Sequence, residues 1–169
     1  MPIITDLEKT EIGVEGYMHC TLTDEDINVS LHGNVSEEYA ERCAETLNHL
    51  PPGVVDEICS AAVRYFSHHR RHVGEEIDEL MHVSVTELSD PREILKCIQV
   101  GVLIVDEPKD ERIGYHVLCG CDWEEEHGLE FTILDGKLVY LGGFNASGAW
   151  GTYPPDNVWN YVNDIERKY

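Results

Sequence analysis

Cys119-Gly120-Cys121-Asp122-Trp123-Glu124-Glu125-Glu126-His127-Gly128-Leu129, with Asp135-Gly136 six residues further on, is the stretch that decides the fold. Ile113 to Cys121 reads as one strand and Leu129 to Leu134 as the next. Asp135-Gly136 then supplies two residues that accept positive φ, which a two-residue hairpin needs. Lys137 to Leu141 completes that hairpin, so the last third predicts an antiparallel sheet.

Outward from this sheet the pattern changes twice. Val100 to Val105 predicts a buried strand, preceded by a short helix with Asp90 as cap, Pro91 at its first position, and Ile94, Leu95 and Ile98 on one side. A weaker helical signal covers residues 75–82. Further upstream, Ser36 caps a helix carrying Tyr39, Cys43, Leu47 and Leu50, with Glu37 and Glu38 at the positive end of its dipole. After Pro51-Pro52-Gly53 a second helix carries Val54, Ile58, Ala61, Ala62 and Tyr65 and ends in Arg70-Arg71-His72. So short a connection predicts an antiparallel helical hairpin.

Residues 11–32 read as a strand hairpin: Ile12, Val14, Tyr17 and Met18, a turn at Asp24-Glu25-Asp26, then Ile27, Val29 and Leu31. Downstream, a loop rich in glycine and aromatics spans Gly142 to Pro155. A closing helix is expected from about Asp156 to Arg167, carrying Val158, Trp159, Val162 and Ile165. The predicted class is α+β, a single domain over residues 1–169: an antiparallel sheet of hairpins, an α-helical hairpin inserted in the middle, and a C-terminal helix.

Composition narrows the function classes. Against 33 Asp and Glu stand 12 Lys and Arg, a formal charge of -21 in 169 residues. That field repels phosphate, which argues against nucleic acid and anionic membranes as partners. No apolar run approaches the roughly 18 residues of a membrane helix. Met1-Pro2-Ile3-Ile4 is followed at once by Thr5-Asp6-Leu7-Glu8, unlike a secretory signal, and the expected location is cytoplasmic. The acidity fits solubility, a salt-rich cytoplasm, or a basic protein partner. Six cysteines (Cys20, Cys43, Cys59, Cys97, Cys119, Cys121) read as free thiols, Cys43 and Cys59 on apolar helical stripes.

The polar connection between the predicted strands offers Glu126 and His127 as a general acid/base pair, since a carboxylate can orient an imidazole. Adjacent strand residues point to opposite faces, so pairing would need a bulge or turn. The architectural alternative has Trp123 packing, Gly128 permitting a bulge, and carboxylates accepting backbone amides. Cys119, Cys121, His116 and His127 lack zinc-ligand spacing, and His68 and His72 lack the accompanying acid of a zinc helix. The acidic turns lack the EF-hand order, and the glycine loop has no phosphate-binding pattern. No metal or cofactor is expected. Phe144, Trp150, Tyr153 and Trp159 cluster around the glycine loop, either for recognition or to cover the open end of the sheet.

The run from Cys121 to Leu129, with the hairpin Asp135-Gly136-Lys137-Leu138-Val139, resembles uncharacterised bacterial domains carrying a Trp-Asp-x-Glu-His-Gly-Leu signature. Glu124 stands where that signature has Asp. The resemblance covers about residues 11–142 and implies no established activity. Similar domains occur near bacterial toxin systems, which implies an immunity or binding role for some of them.

The leading expectation is therefore a non-catalytic acidic domain that binds a basic protein partner. Asp122, Trp123, Glu126 and His127 are its candidate contacts, with Trp150 and Tyr153 as contact aromatics. The alternative is a hydrolase-like enzyme using Glu126 and His127, with or without a metal. Oligomeric state is not legible.

Overall fold

The computed structural model describes residues 1–168. Seven strands form one sheet in sequence order: β1 (Thr5–Thr10), β2 (Gly13–Cys20), β3 (Glu25–His32), β4 (Ile98–Asp106), β5 (Gly114–Cys121), β6 (Leu129–Leu134) and β7 (Lys137–Gly142). All neighbours are antiparallel except β3 and β4, which are parallel. The helical segment between β3 and β4 is what permits this, because parallel neighbours need a long crossover. It contains α1 (Glu37–Asn48), α2 (Pro52–Val73) and three 3₁₀ stretches, Glu75–Leu80, Val85–Ser89 and Pro91–Cys97.

The caps sit where the sequence places them. Ser36 Oγ accepts the Tyr39 N–H, and the Asp90 carboxylate accepts that of Arg92. Asp135 and Gly136 take φ of 53° and 76°, as the β6–β7 turn requires. The six cysteines are free and buried.

Helix α1 packs over β2 and β4, while α2 packs over β7 and the 3₁₀ stretches Glu75–Leu80 and Pro91–Cys97. Each buries its own stripe on the sheet: Ala40, Cys43, Ala44 and Leu47 from α1, and Ile58, Ala62, Tyr65 and Phe66 among those of α2. One expectation is corrected: residues 156–168 form turns, not a helix. Asn157, Asn160 and Asn163 direct side-chain bonds to nearby backbone, which competes with helical bonding. The Asn160 amide accepts the Leu141 N–H and donates to the Val139 carbonyl, and Tyr161 N–H donates to Leu141 O at 2.8 Å. Arg167 gathers the carbonyls of Val158, Asn160 and Asn163. The tail thereby covers the open edge of β7, which would otherwise expose a row of unpaired amides and carbonyls.

One further strand, β1, lies at the opposite edge. Its sequence, TDLEKT, is polar and exposed throughout except at Leu7 and Thr10, which leaves no hydrophobic alternation to read.

Strand alternation separates two faces. Val29, Leu31, Leu103, Val105, Tyr115 and Val117 are buried on the helix-covered face, in one continuous hydrophobic cluster with α1 and α2. Ser30, His32, Ile104, Asp106, His116, Glu130 and Thr132 occupy the other face. Residues 143–155 lie over the β5–β7 half of that second face. A Cβ on Gly148 would fall 2.7 Å from Asp106 Oδ2, and one on Gly114 would fall 2.7 Å from Ala149.

Candidate functional site

The β5–β6 connection is a tight turn built on Glu124. Its Oε1 accepts the backbone N–H groups of Glu126 (3.0 Å) and His127 (3.2 Å), and its Oε2 meets His127 Nδ1 at 2.9 Å. Gly128 closes the turn at φ 59°, its N–H donating to Glu124 O. Partial burial would raise the Glu124 pKa, but the His127 ring and the two amides outweigh it and hold the carboxyl below its usual range. The same pairing raises that of His127. Glu124, not Glu126, is thus the carboxylate that orients His127. Glu126 is exposed.

Asp122 and Trp123 face inward. Asp122 Oδ2 accepts the His82 N–H and pairs with His82 Nδ1 at 2.6 Å, while Oδ1 accepts from Gln99 Nε2. Asp122 therefore ties the irregular stretch after α2 to the sheet. Trp123 is 2% exposed and meets Tyr65 and Phe66 edge-on, with centroids 5.6 and 5.9 Å away. Trp150 and Tyr153 are half-buried. Arg112 lies over the Trp150 ring at 5.5 Å, and the Tyr153 hydroxyl donates to Gly148 O. Both aromatics belong to the loop that covers the sheet. The rings left exposed at that end are Phe144 and Trp159, at 50% and 65%.

Phe144 and Trp159 rim a cleft of about 710 Å³ between the last turns of α2, the Glu124–His127 turn and the tail. Its back wall is Tyr65 stacked on Tyr161, centroids 4.8 Å apart. His68, His69, His72, His127 and Lys168 also line it. His68 is buried, with Nδ1 2.6 Å from the Tyr161 hydroxyl. Burial lowers the pKa of both His68 and His69, which keeps them neutral near pH 7. Among the described residues no group of three or more His, Cys, Asp or Glu could hold a metal ion. The histidines of α2 and His127 are more than fifty residues apart, so their meeting leaves no local signature.

The second sheet face carries a string of hydrogen bonds and close charged contacts across four strands. Ser30 Oγ meets His32 Nε2 at 2.8 Å, and Asp106 lies between His32 Nδ1 (3.4 Å) and His116 Nε2 (2.9 Å). His116 Nδ1 meets Glu130 Oε1 at 3.1 Å, and Glu130 Oε2 accepts the Asn145 N–H. Both ring nitrogens of His116 face carboxylate oxygens, so both must carry hydrogens and the ring is an imidazolium. Burial would lower its pKa, but the bonds to Asp106 and Glu130 prevail and raise it to about 9. Its proton lowers the pKa of Asp106 in turn. This string anchors the covering loop.

Beyond the loop, the β1–β3 part of that face is open. Tyr17 is 54% exposed at its centre, paired in register with Thr5 and Asn28. Glu8 lies directly across from Glu15, and Asp24 and Asp26 bracket His19 at 2.8 Å each. Strands β2 to β6 contain no Lys or Arg. Like charges placed directly across strands cost stability, so the Glu8–Glu15 pair is not explained by folding. Tyr17 is not among the contacts expected from the sequence; as the strand neighbour of buried Met18 it turns to the opposite face, and strict alternation is the signal that could have found it.

Among the described residues no helix is long and apolar enough to cross a membrane. Comparison with curated proteins and with solved structures finds no match. A family profile described as a domain of unknown function (DUF6985) matches residues 3–148, and the chain belongs to that family.

Proposed function

We propose that this is a non-catalytic binding domain that captures a basic segment of a cytoplasmic protein partner on the open half of its second sheet face, in the manner of an immunity protein. The observation that carries the reading is Tyr17, an exposed aromatic among Glu8, Glu15, Asp24 and Asp26 on a sheet whose strands β2 to β6 hold no Lys or Arg. Tyrosine is a frequent energetic anchor at interfaces, and surrounding charges mainly set association rate and partner choice. Four of the twelve Lys and Arg pair with acids outside strands β1 to β3: Arg70 with Asp78, Arg92 with Asp56, Lys96 with Glu93 and Arg112 with Asp110.

The test is calorimetric titration with a deca-arginine peptide at low and high salt. Affinity is expected to fall at least about tenfold with salt, as exposed charge pairs are screened beyond roughly 8–10 Å. Reversing Glu15 and Asp26 to Lys should weaken binding far more than reversing Glu57 and Glu87, which are exposed on other elements. Equal losses from the two reversals would refute the assignment to this face.

A further inference from the structure

The cleft at the other end of the molecule differs chemically from the rest of the surface. In a chain of net charge -21, its wall presents nitrogen donors: His69, His72, His127 and Lys168. Among the described lining residues, Glu124 is its one carboxylate, and both oxygens of that group are held within the turn, by two amides and by His127. The cleft therefore offers donors and aromatic faces, with no carboxylate oxygen left over to receive a cation. The C-terminal end of a helix favours positive charge, but α2 already carries Arg70, Arg71 and His72 in its last turn.

From this geometry we infer that the cleft binds a small ligand with a flat aromatic ring and one anionic group, a carboxylate or a phosphate ester. The ring lies between Phe144 and Trp159, against the Tyr65–Tyr161 wall, and the anion meets His69, His72 and Lys168. A volume of about 710 Å³ suits this, since small-molecule sites commonly run to roughly 300–1,000 Å³ and combine apolar walls with a few polar groups. His69, kept neutral by burial, can donate one N–H without bringing a second full charge beside Lys168. His127 is pre-oriented by Glu124 through Nδ1, which leaves Nε2 as its remaining polar atom. This site is separate from the open sheet face, so neither proposal depends on the other.

The experiment uses the full chain and four naphthyl probes: 2-naphthoate, 2-naphthyl phosphate, 2-naphthalenemethanol and the 2-naphthylmethyl-trimethylammonium cation. Binding is read from tryptophan fluorescence and from the histidine ring resonances in NMR. The expected result is that naphthoate binds at least about tenfold more tightly than the cation, a difference of about 1.4 kcal/mol. The ring signals of His69, His72 and His127 should move, and those of His19 and His49 should not. Naphthyl phosphate should behave like naphthoate. Phe144→Leu and Trp159→Leu alter exposed rings, and each is expected to weaken naphthoate about two- to tenfold through lost stacking. The cation binding as tightly as the anion, or naphthoate binding without movement of those histidine signals, would overturn the inference. So would an absence of naphthoate binding at millimolar concentration.

Discussion

The charged string through His116 makes stability depend on pH between about 6.5 and 9. His116 is 5% exposed and its pKa stands at about 9 against an ordinary value of 6.5. A raised folded-state value means that the stabilising contribution is fully present below about pH 6.5 and lost as pH climbs through 9. At 1.36 kcal/mol per unit, the full contribution is about 3 kcal/mol, most of which disappears between pH 6 and 9. That is a large share of the roughly 5–15 kcal/mol by which domains are stable. The perturbation is the double variant His116→Gln, Glu130→Gln, which keeps a hydrogen-bonding pair and removes both charges. Urea unfolding under reducing conditions, followed by circular dichroism at each pH unit, gives the two stability curves. Their difference should narrow by about 3 kcal/mol across the window. His116→Gln alone should cost more than the double variant, about 3–5 kcal/mol, because it strands Glu130 as an uncompensated buried charge. Parallel curves from pH 6 to 9 would refute the imidazolium assignment.

Three further outcomes follow from named contacts. Glu124→Ala should cost about 1–3 kcal/mol by freeing two amides and the His127 ring, whereas Glu126→Ala should stay within about 0.5 kcal/mol; thermal melts of the two variants decide this. Asn160→Ala removes two bonds to the β7 backbone, so amide exchange at Leu141 should accelerate well before global unfolding, and unchanged exchange would contradict the tail's edge-covering role. The six buried thiols, with Cys43 and Cys121 pushed up to about 12 chiefly by burial, should resist an aromatic disulfide reagent in the folded protein and react fully in urea.

Local chemistry explains which parts of the fold were legible. The β5–β6–β7 meander was readable because Asp135-Gly136 can form only a few kinds of turn and the flanking strands are apolar. Ser36 and Asp90 announced their helical starts in the same way. The tail misled because Val158, Trp159, Val162 and Ile165 have helical spacing, yet Trp159 and Ile165 are exposed and Asn160 between them binds the backbone of β7. The parallel β3–β4 pair follows from where β4 lands after a crossover of 65 residues, information that no local window contains.

The candidate site was legible in part. The connection at residues 122–128 was found, but roles within it are set by burial that the sequence does not state. Asp122 and Trp123 serve the interior, Glu124 takes the orienting part expected of Glu126, and His127 faces the cleft. Among the aromatics, Trp150 and Tyr153 are held in the covering loop while Phe144 and Trp159 reach solvent. Residue type could not separate these pairs.

The most direct measurement of the central claim is to locate a basic ligand on the isotopically labelled protein. Deca-arginine titrated at low salt should shift the amides of β2 and β3 around Tyr17 and Asn28 first, and Tyr17→Ala should weaken the interaction while leaving the fold intact. Shifts spread evenly over the acidic surface, or unchanged affinity in Tyr17→Ala, would contradict it: the charge would then serve solubility, and the open sheet face would not be a binding surface.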